Sequence, residues 1–101
     1  MLIYNTTFHL VDEVEDNFII WLKEVHIPEV QKQAVLRNPR ICKILSHTEP
    51  GEFTYALQWE VDSAAELHRW QMDQGSFAKD QVLKIFKEKV LGFETLMRVV
   101  E

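Results

Sequence analysis

Leu2, Tyr4, Thr6, Phe8 and Leu10 occupy alternate positions of the opening stretch, with Asn5, Thr7 and His9 between them. A period of two with one mostly apolar side predicts a β-strand over residues 2–11 whose even face meets a core. The period recurs over residues 53–61, where Phe53, Tyr55, Leu57, Trp59 and Val61 alternate with Thr54, Ala56, Gln58 and Glu60. Two weaker strands are predicted over residues 40–47, whose imperfect alternation suits a sheet edge, and over residues 93–100. Pro50-Gly51 predicts a type II turn before the third strand.

Elsewhere the period is helical. Val14, Phe18, Trp21, Leu22 and Val25 form one apolar stripe, and Asp12, Glu13, Glu15 and Asp16 crowd its start, where carboxylates complement the helix dipole and Asp12 suits an N-cap. Pro28 disfavours the α conformation at Ile27, which predicts a kink or a restart there. A second helix is expected after Ser63 and Glu66, which stand at capping-box spacing. It carries Leu67 and Trp70, breaks at Gly75-Ser76, resumes through Val82, Leu83, Phe86 and Val90, and is expected to stop at Gly92.

This order is β-α-β-β-α-β, the ferredoxin-like arrangement within the α+β class. Right-handed crossovers place the first strand centrally, beside the third and fourth, with the second at one edge of a four-stranded antiparallel sheet. Two helices cover one face. The other presents Ile3, Asn5, Thr7 and His9 with Thr54, Ala56 and Gln58, a mixed surface that either stays wet or packs against a second copy.

Length and composition narrow the class. A chain of 101 residues, 47% hydrophobic and 27% charged, fits a single folded domain over residues 1–101 rather than a disordered segment. The apolar runs are far shorter than the ~20 residues that cross a bilayer, so no membrane partner is expected. The opening residues enter strand pattern with no basic region before them, and the single cysteine, Cys42, suits a reducing compartment. A cytoplasmic protein without a signal peptide is the expectation. Sixteen acidic against 11 basic side chains leave a charge of −5, and the lysines at 79, 84, 87 and 89 are interrupted by Asp80 and Glu88. That pattern reads as a solvated helix face, so no nucleic-acid partner is expected.

The opening Ile3-Tyr4-Asn5, the segment from Trp21 to Pro28 and the closing residues 93–100 resemble a family of about this length described as a domain of unknown function, itself similar to the dimeric α+β barrel superfamily. The Trp21-x4-His26-x-Pro28 element is also similar to the first helix of ethyl tert-butyl ether degradation (EthD)-like proteins of that superfamily. The resemblance implies a dimeric α+β barrel, hence a homodimer. It fixes no activity, because the superfamily spans cofactor-independent monooxygenases, isomerases, haem-handling enzymes and members without assigned activity.

His26 is the candidate catalytic residue, since the stripe sets it at the border of the buried face beside the proline break. The competing reading is a helix-end histidine facing exposed carbonyls. Tyr4, Trp21, Tyr55 and Trp59, together with Trp70, are placed on the helix side and are candidate lining for a small-molecule pocket, although aromatic residues at such spacing also simply fill cores. Asn5, Thr7, His9 and Gln58, with Arg98, are the candidate polar contacts of a dimer interface. His9, His26, His47, His68 and Cys42 are too scattered for a metal site, and three glycines leave no phosphate loop, so neither metal nor cofactor is implied. The two functional readings are a homodimer that binds or transforms a small organic ligand and a non-enzymatic interaction module with a filled core.

Overall fold

The computed structural model describes residues 1–46 and 49–101, and for residues 75–78 the backbone course only. β1 (Leu2–Val11), β2 (Arg37–Lys43), β3 (Glu52–Val61) and β4 (Val90–Arg98) form an antiparallel sheet in the order β2-β3-β1-β4. The first helical run comprises α1 (Glu15–Trp21) and α2 (Ile27–Lys32), and the second α3 (Ala64–Trp70) and α4 (Ser76–Phe86). The chain has the ferredoxin-like α+β fold. Among the described residues no helix is long and apolar enough to cross a membrane.

Register puts the two faces where the period of two requires. Tyr4 pairs with Trp59 and Leu96, and Phe8 with Tyr55 and Gly92, on the helix side; Asn5 pairs with Gln58 and Thr95, and Thr7 with Ala56 and Phe93, on the open side. Phe18 and Leu22 of the first run, and Leu67, Trp70 and Phe86 of the second, bury Tyr4, Phe8, Leu57 and Trp59 beneath them. The helices lean over β1 and β3 and leave β4 half bare. On its helix side Val90 is buried, whereas Leu96 is 43% exposed.

Each helical run contains a π turn, Leu22–His26 and Gln71–Gly75, and each begins just after a tryptophan. In the first, the N–H of Ile27 bonds the carbonyl of Leu22, five residues back. The extra residue rotates the apolar stripe by about 100°. Val25, expected in the core, is therefore 47% exposed, and His26 takes its place at the buried border. Pro28 sits in the first turn of α2, directly after the π turn.

Several boundaries differ from the sequence reading. The expected Asp12 cap does not form: Asp12–Val14 is a 3-10 turn, and Val14 precedes α1 with no side-chain cap. Ser63 does cap α3, accepting the N–H of Glu66 at 3.1 Å. β2 starts at Arg37 rather than residue 40, passes Asn38 in left-handed conformation (φ 52°) through a bulge, and ends at Lys43, while His47 lies outside the described residues. Leu83 is off the buried face at 63% exposure. Val90 opens β4 instead of continuing the helix, because Lys87, at φ 55°, turns the chain before it.

Gly92 is thus a strand residue and not a helix stop. A Cβ there would stand 3.2 Å from the Phe8 ring, closer than an unstrained contact allows. Gly92→Ala is expected to cost about 1–3 kcal/mol through overpacking, read as a lowered urea midpoint. An unchanged midpoint would mean that Phe8 is free to move aside.

Candidate functional site

Between the bare helix side of β4 and the second helical run lies a cavity of about 650 Å³, within the range of small-molecule sites. Tyr4, Thr6 and Phe8 of β1 and Trp59 of β3 contribute its floor, Trp21, His26 and Trp70 one wall, and Val82, Leu83 and the first half of β4 the other. All three tryptophans of the chain line it. Lys79, Lys87, Glu88 and Glu94 supply its charged side chains.

The cavity is held open by stiff packing. Trp21 stacks against Phe18 (6.0 Å between ring centroids) and meets Phe86 edge-on, while Tyr4 meets Trp70 edge-on at 6.0 Å. The Trp70 indole N–H donates to the Oε1 of Gln33, which ties the two helical runs together. The Trp21 Nε1 is buried without a partner among the described residues.

His26 lies face to face with Trp21, 5.0 Å between centroids and 20° between planes. Burial lowers its pKa to about 4. The helix-end reading does not apply, because the run continues to Lys32 and a helix terminus would stabilise the charged ring. The imidazole is neutral at pH 7, and a base with so low a pKa is suited to hydrogen bonding more than to proton abstraction.

The same shift carries a pH dependence. The unfolded ring binds a proton near 6.5 and the folded one near 4, so between those values the unfolded state holds more protons and stability falls as the pH is lowered. Roughly 2–3 kcal/mol is expected to be lost across this window, since each unit is worth about 1.4 kcal/mol. Urea unfolding between pH 7.5 and 4 checks this, and His26→Asn should flatten the profile.

Among the proposed pocket residues, Tyr4, Trp21 and Trp59 meet at the cavity with His26, whereas Tyr55 is not among its lining. Tyr55 shares the helix-side face with Trp59 but stands four residues along β3, about 13 Å away. There its hydroxyl donates to Glu15 Oε2 at 2.6 Å, and Lys43 reaches the same carboxylate oxygen at 3.1 Å. Burial and then this carboxylate push the phenol up to about 12, and the Tyr55 bond together with Lys43 holds Glu15 below the usual carboxylate range. This cluster pins α1 to β2 and β3.

The proposed interface residues do share the open face. Asn5 and Gln58 are cross-strand neighbours, Asn5 Nδ2 donates to Thr7 Oγ1 at 3.0 Å, and His9 Nδ1 lies 2.9 Å from Thr54 Oγ1. Asn5 is buried, and its Oδ1 has no partner among the described residues. Arg98 does not join them, because it pairs with Leu2 on the helix side. Leu91, Phe93 and Met97 of β4 complete this face with exposed apolar surface that sequence reasoning did not weigh.

Sequence reasoning also missed a polar corner of the cavity. Glu94 pairs with Thr6 across the ladder, and its carboxylate accepts from Gln71 Nε2 and binds Lys79 Nζ, each at 3.1 Å. Burial, and then the neighbouring Glu94 charge, push the Tyr4 hydroxyl up to about 12, so it stays protonated. No spacing in the sequence announces this corner; the β1–β4 register creates it. Among the described residues no group of three His, Cys, Asp or Glu side chains is placed to hold a metal ion.

Comparison with solved structures finds the same architecture in proteins of low identity. An EthD family protein from Bacillus halodurans is 16% identical with a TM-score of 0.69, the match covering 99% of this chain and 100% of that one. A dimeric ferredoxin-like protein from an uncultured marine organism is 17% identical with a TM-score of 0.70, covering 99% and 95%. An antibiotic biosynthesis monooxygenase is 14% identical with a TM-score of 0.64, covering 100% of both chains. At these identities the likeness is one of fold. Among curated proteins none matches. The family described as "domain of unknown function (DUF4286)" matches residues 1–100, and the chain belongs to it.

Proposed function

We propose that the protein is a cytoplasmic homodimer that binds or transforms a small organic molecule in the cavity between sheet and helices, with Tyr4, Trp21 and Trp59 as contacts and His26 as the polar anchor. The observation that carries this reading is the 650 Å³ space bounded by three tryptophans and a neutral histidine. A self-filled core, the rival reading, would have closed that space with its own side chains, as interiors normally do. The solved structures support the reading without fixing a substrate: one of them is described as dimeric and another as a monooxygenase.

The open face supports the pairing. Leu91 and Phe93 are more than half exposed, beside a buried Asn5 carbonyl without a partner among the described residues. A second copy laid over this sheet removes the apolar area from water and brings donors to that oxygen.

The test is mass spectrometry of the small molecules that co-purify with the protein and with His26→Ala. About tenfold less is expected to be retained by the variant, the loss of one buried hydrogen bond, with a melting temperature within about 5 °C of the parent. A large drop in melting temperature with retention unchanged would reassign His26 to scaffolding.

A further inference from the structure

We infer that Glu94 selects the ligand of this cavity, admitting neutral planar molecules that present a hydrogen-bond donor, such as a ring hydroxyl, and rejecting carboxylates and phosphates. The inference rests on the cavity being a ligand site. Its floor and one wall are largely aromatic rings, which favour a planar body. At one corner Glu94 is held from two directions, by Lys79 of α4 and by Gln71 of the π turn. Such tethering fixes the carboxylate before a ligand arrives.

A carboxylate offers about four acceptor sites, and Gln71, Lys79 and the neighbouring Tyr4 hydroxyl leave room for one further donor. The Glu94 side chain is 27% exposed, so its carboxylate stays within reach of a ligand in the cavity. At that corner the nearest cation, Lys79, is already engaged by Glu94, and the His26 ring is uncharged. An anionic group placed at that corner would thus meet the Glu94 charge with its one neighbouring cation already taken, whereas a hydroxyl would gain a charge-assisted bond.

Isothermal titration calorimetry at pH 7 with 2-naphthol, 2-methoxynaphthalene and 2-naphthoate tests this on the full chain and on Glu94→Gln. The three probes share a ring system and differ at the group that meets the corner. The native protein should bind 2-naphthol about tenfold more tightly than the methyl ether, which cannot donate, and bind 2-naphthoate most weakly. In Glu94→Gln the preference for naphthol should shrink to within about threefold, and naphthoate should gain. Equal affinity for naphthol and its ether in the native protein overturns the inference, as does naphthoate binding tightest or a preference that survives Glu94→Gln. Those results leave the cavity standing as a ligand site. Failure of all three probes to bind would remove both the selectivity and the ligand-site reading.

Discussion

Phe18→Ala is expected to remove about 3–5 kcal/mol of stability, the cost of emptying a large aromatic site in a packed core. Phe18 is 0% exposed and stands at the junction of both helical runs and the sheet. Its ring meets Phe8 at 4.9 Å, Phe86 at 5.4 Å and Trp21 at 6.0 Å between centroids. Because those neighbours are themselves interlocked, the hole cannot collapse cheaply. Proteins of this kind have ~5–15 kcal/mol in total, so the variant should sit close to its unfolding threshold at 37 °C. Urea titration should show a much lower midpoint with an unchanged slope. On the same helix Ile20 is 52% exposed, and Ile20→Ala should move the midpoint by no more than about 0.5 kcal/mol. A Phe18→Ala loss below about 1 kcal/mol would mean that the aromatic cluster is not the structural centre.

The second large effect is expected in assembly. Thr7 lies in the middle of the open face, on the central strand between Ala56 and Phe93, and is half-buried in the single chain. In a lone chain an arginine there can extend over the sheet into water. Between two stacked sheets its charge has no partner, and burying it costs several kcal/mol. If the proposed pairing holds, Thr7→Arg should weaken it by roughly a thousandfold in dissociation constant, about 4 kcal/mol, while each chain keeps its far-ultraviolet circular dichroism. Analytical ultracentrifugation reads this directly. Sedimentation of Thr7→Arg as the same species as the parent would place any subunit contact elsewhere.

The sheet was legible in the sequence because a period of two is written in side chains that the fold must sort between a wet and a dry face. Tyr4, Phe8 and Leu10 fall on one buried face only in an extended strand, and the order of elements then fixed the neighbours of β1. The helices were legible as stripes but not in phase. A π turn adds one residue to a turn and leaves no mark in composition, so Val25, expected in the core, turns outward while His26 keeps the buried border expected of it. The end of the second run was misread because glycine is the common helix stop. Here a lysine, Lys87, adopts the left-handed conformation, and the absent side chain of Gly92 makes room for Phe8 instead.

The site was legible in part for the same reason. Alternation shows which face Tyr4, Tyr55 and Trp59 share, but not how far apart they stand along it, and Tyr55 belongs to the Glu15–Lys43 cluster at the other end. Glu94 escaped notice because it looks like any exposed strand carboxylate until its pairing with Thr6 is known. His26 was found through its neighbour Pro28, although what sets the ring at the buried border is the π turn that ends on it and not a break at the proline.

Native mass spectrometry of the gently purified protein tests the central claim most directly, because it reads assembly and occupancy together. The expected result is a species of twice the 12.0 kDa chain mass carrying a small organic molecule that is lost on denaturation. A bare single chain of 12.0 kDa, with no adduct under any gentle condition, would contradict it.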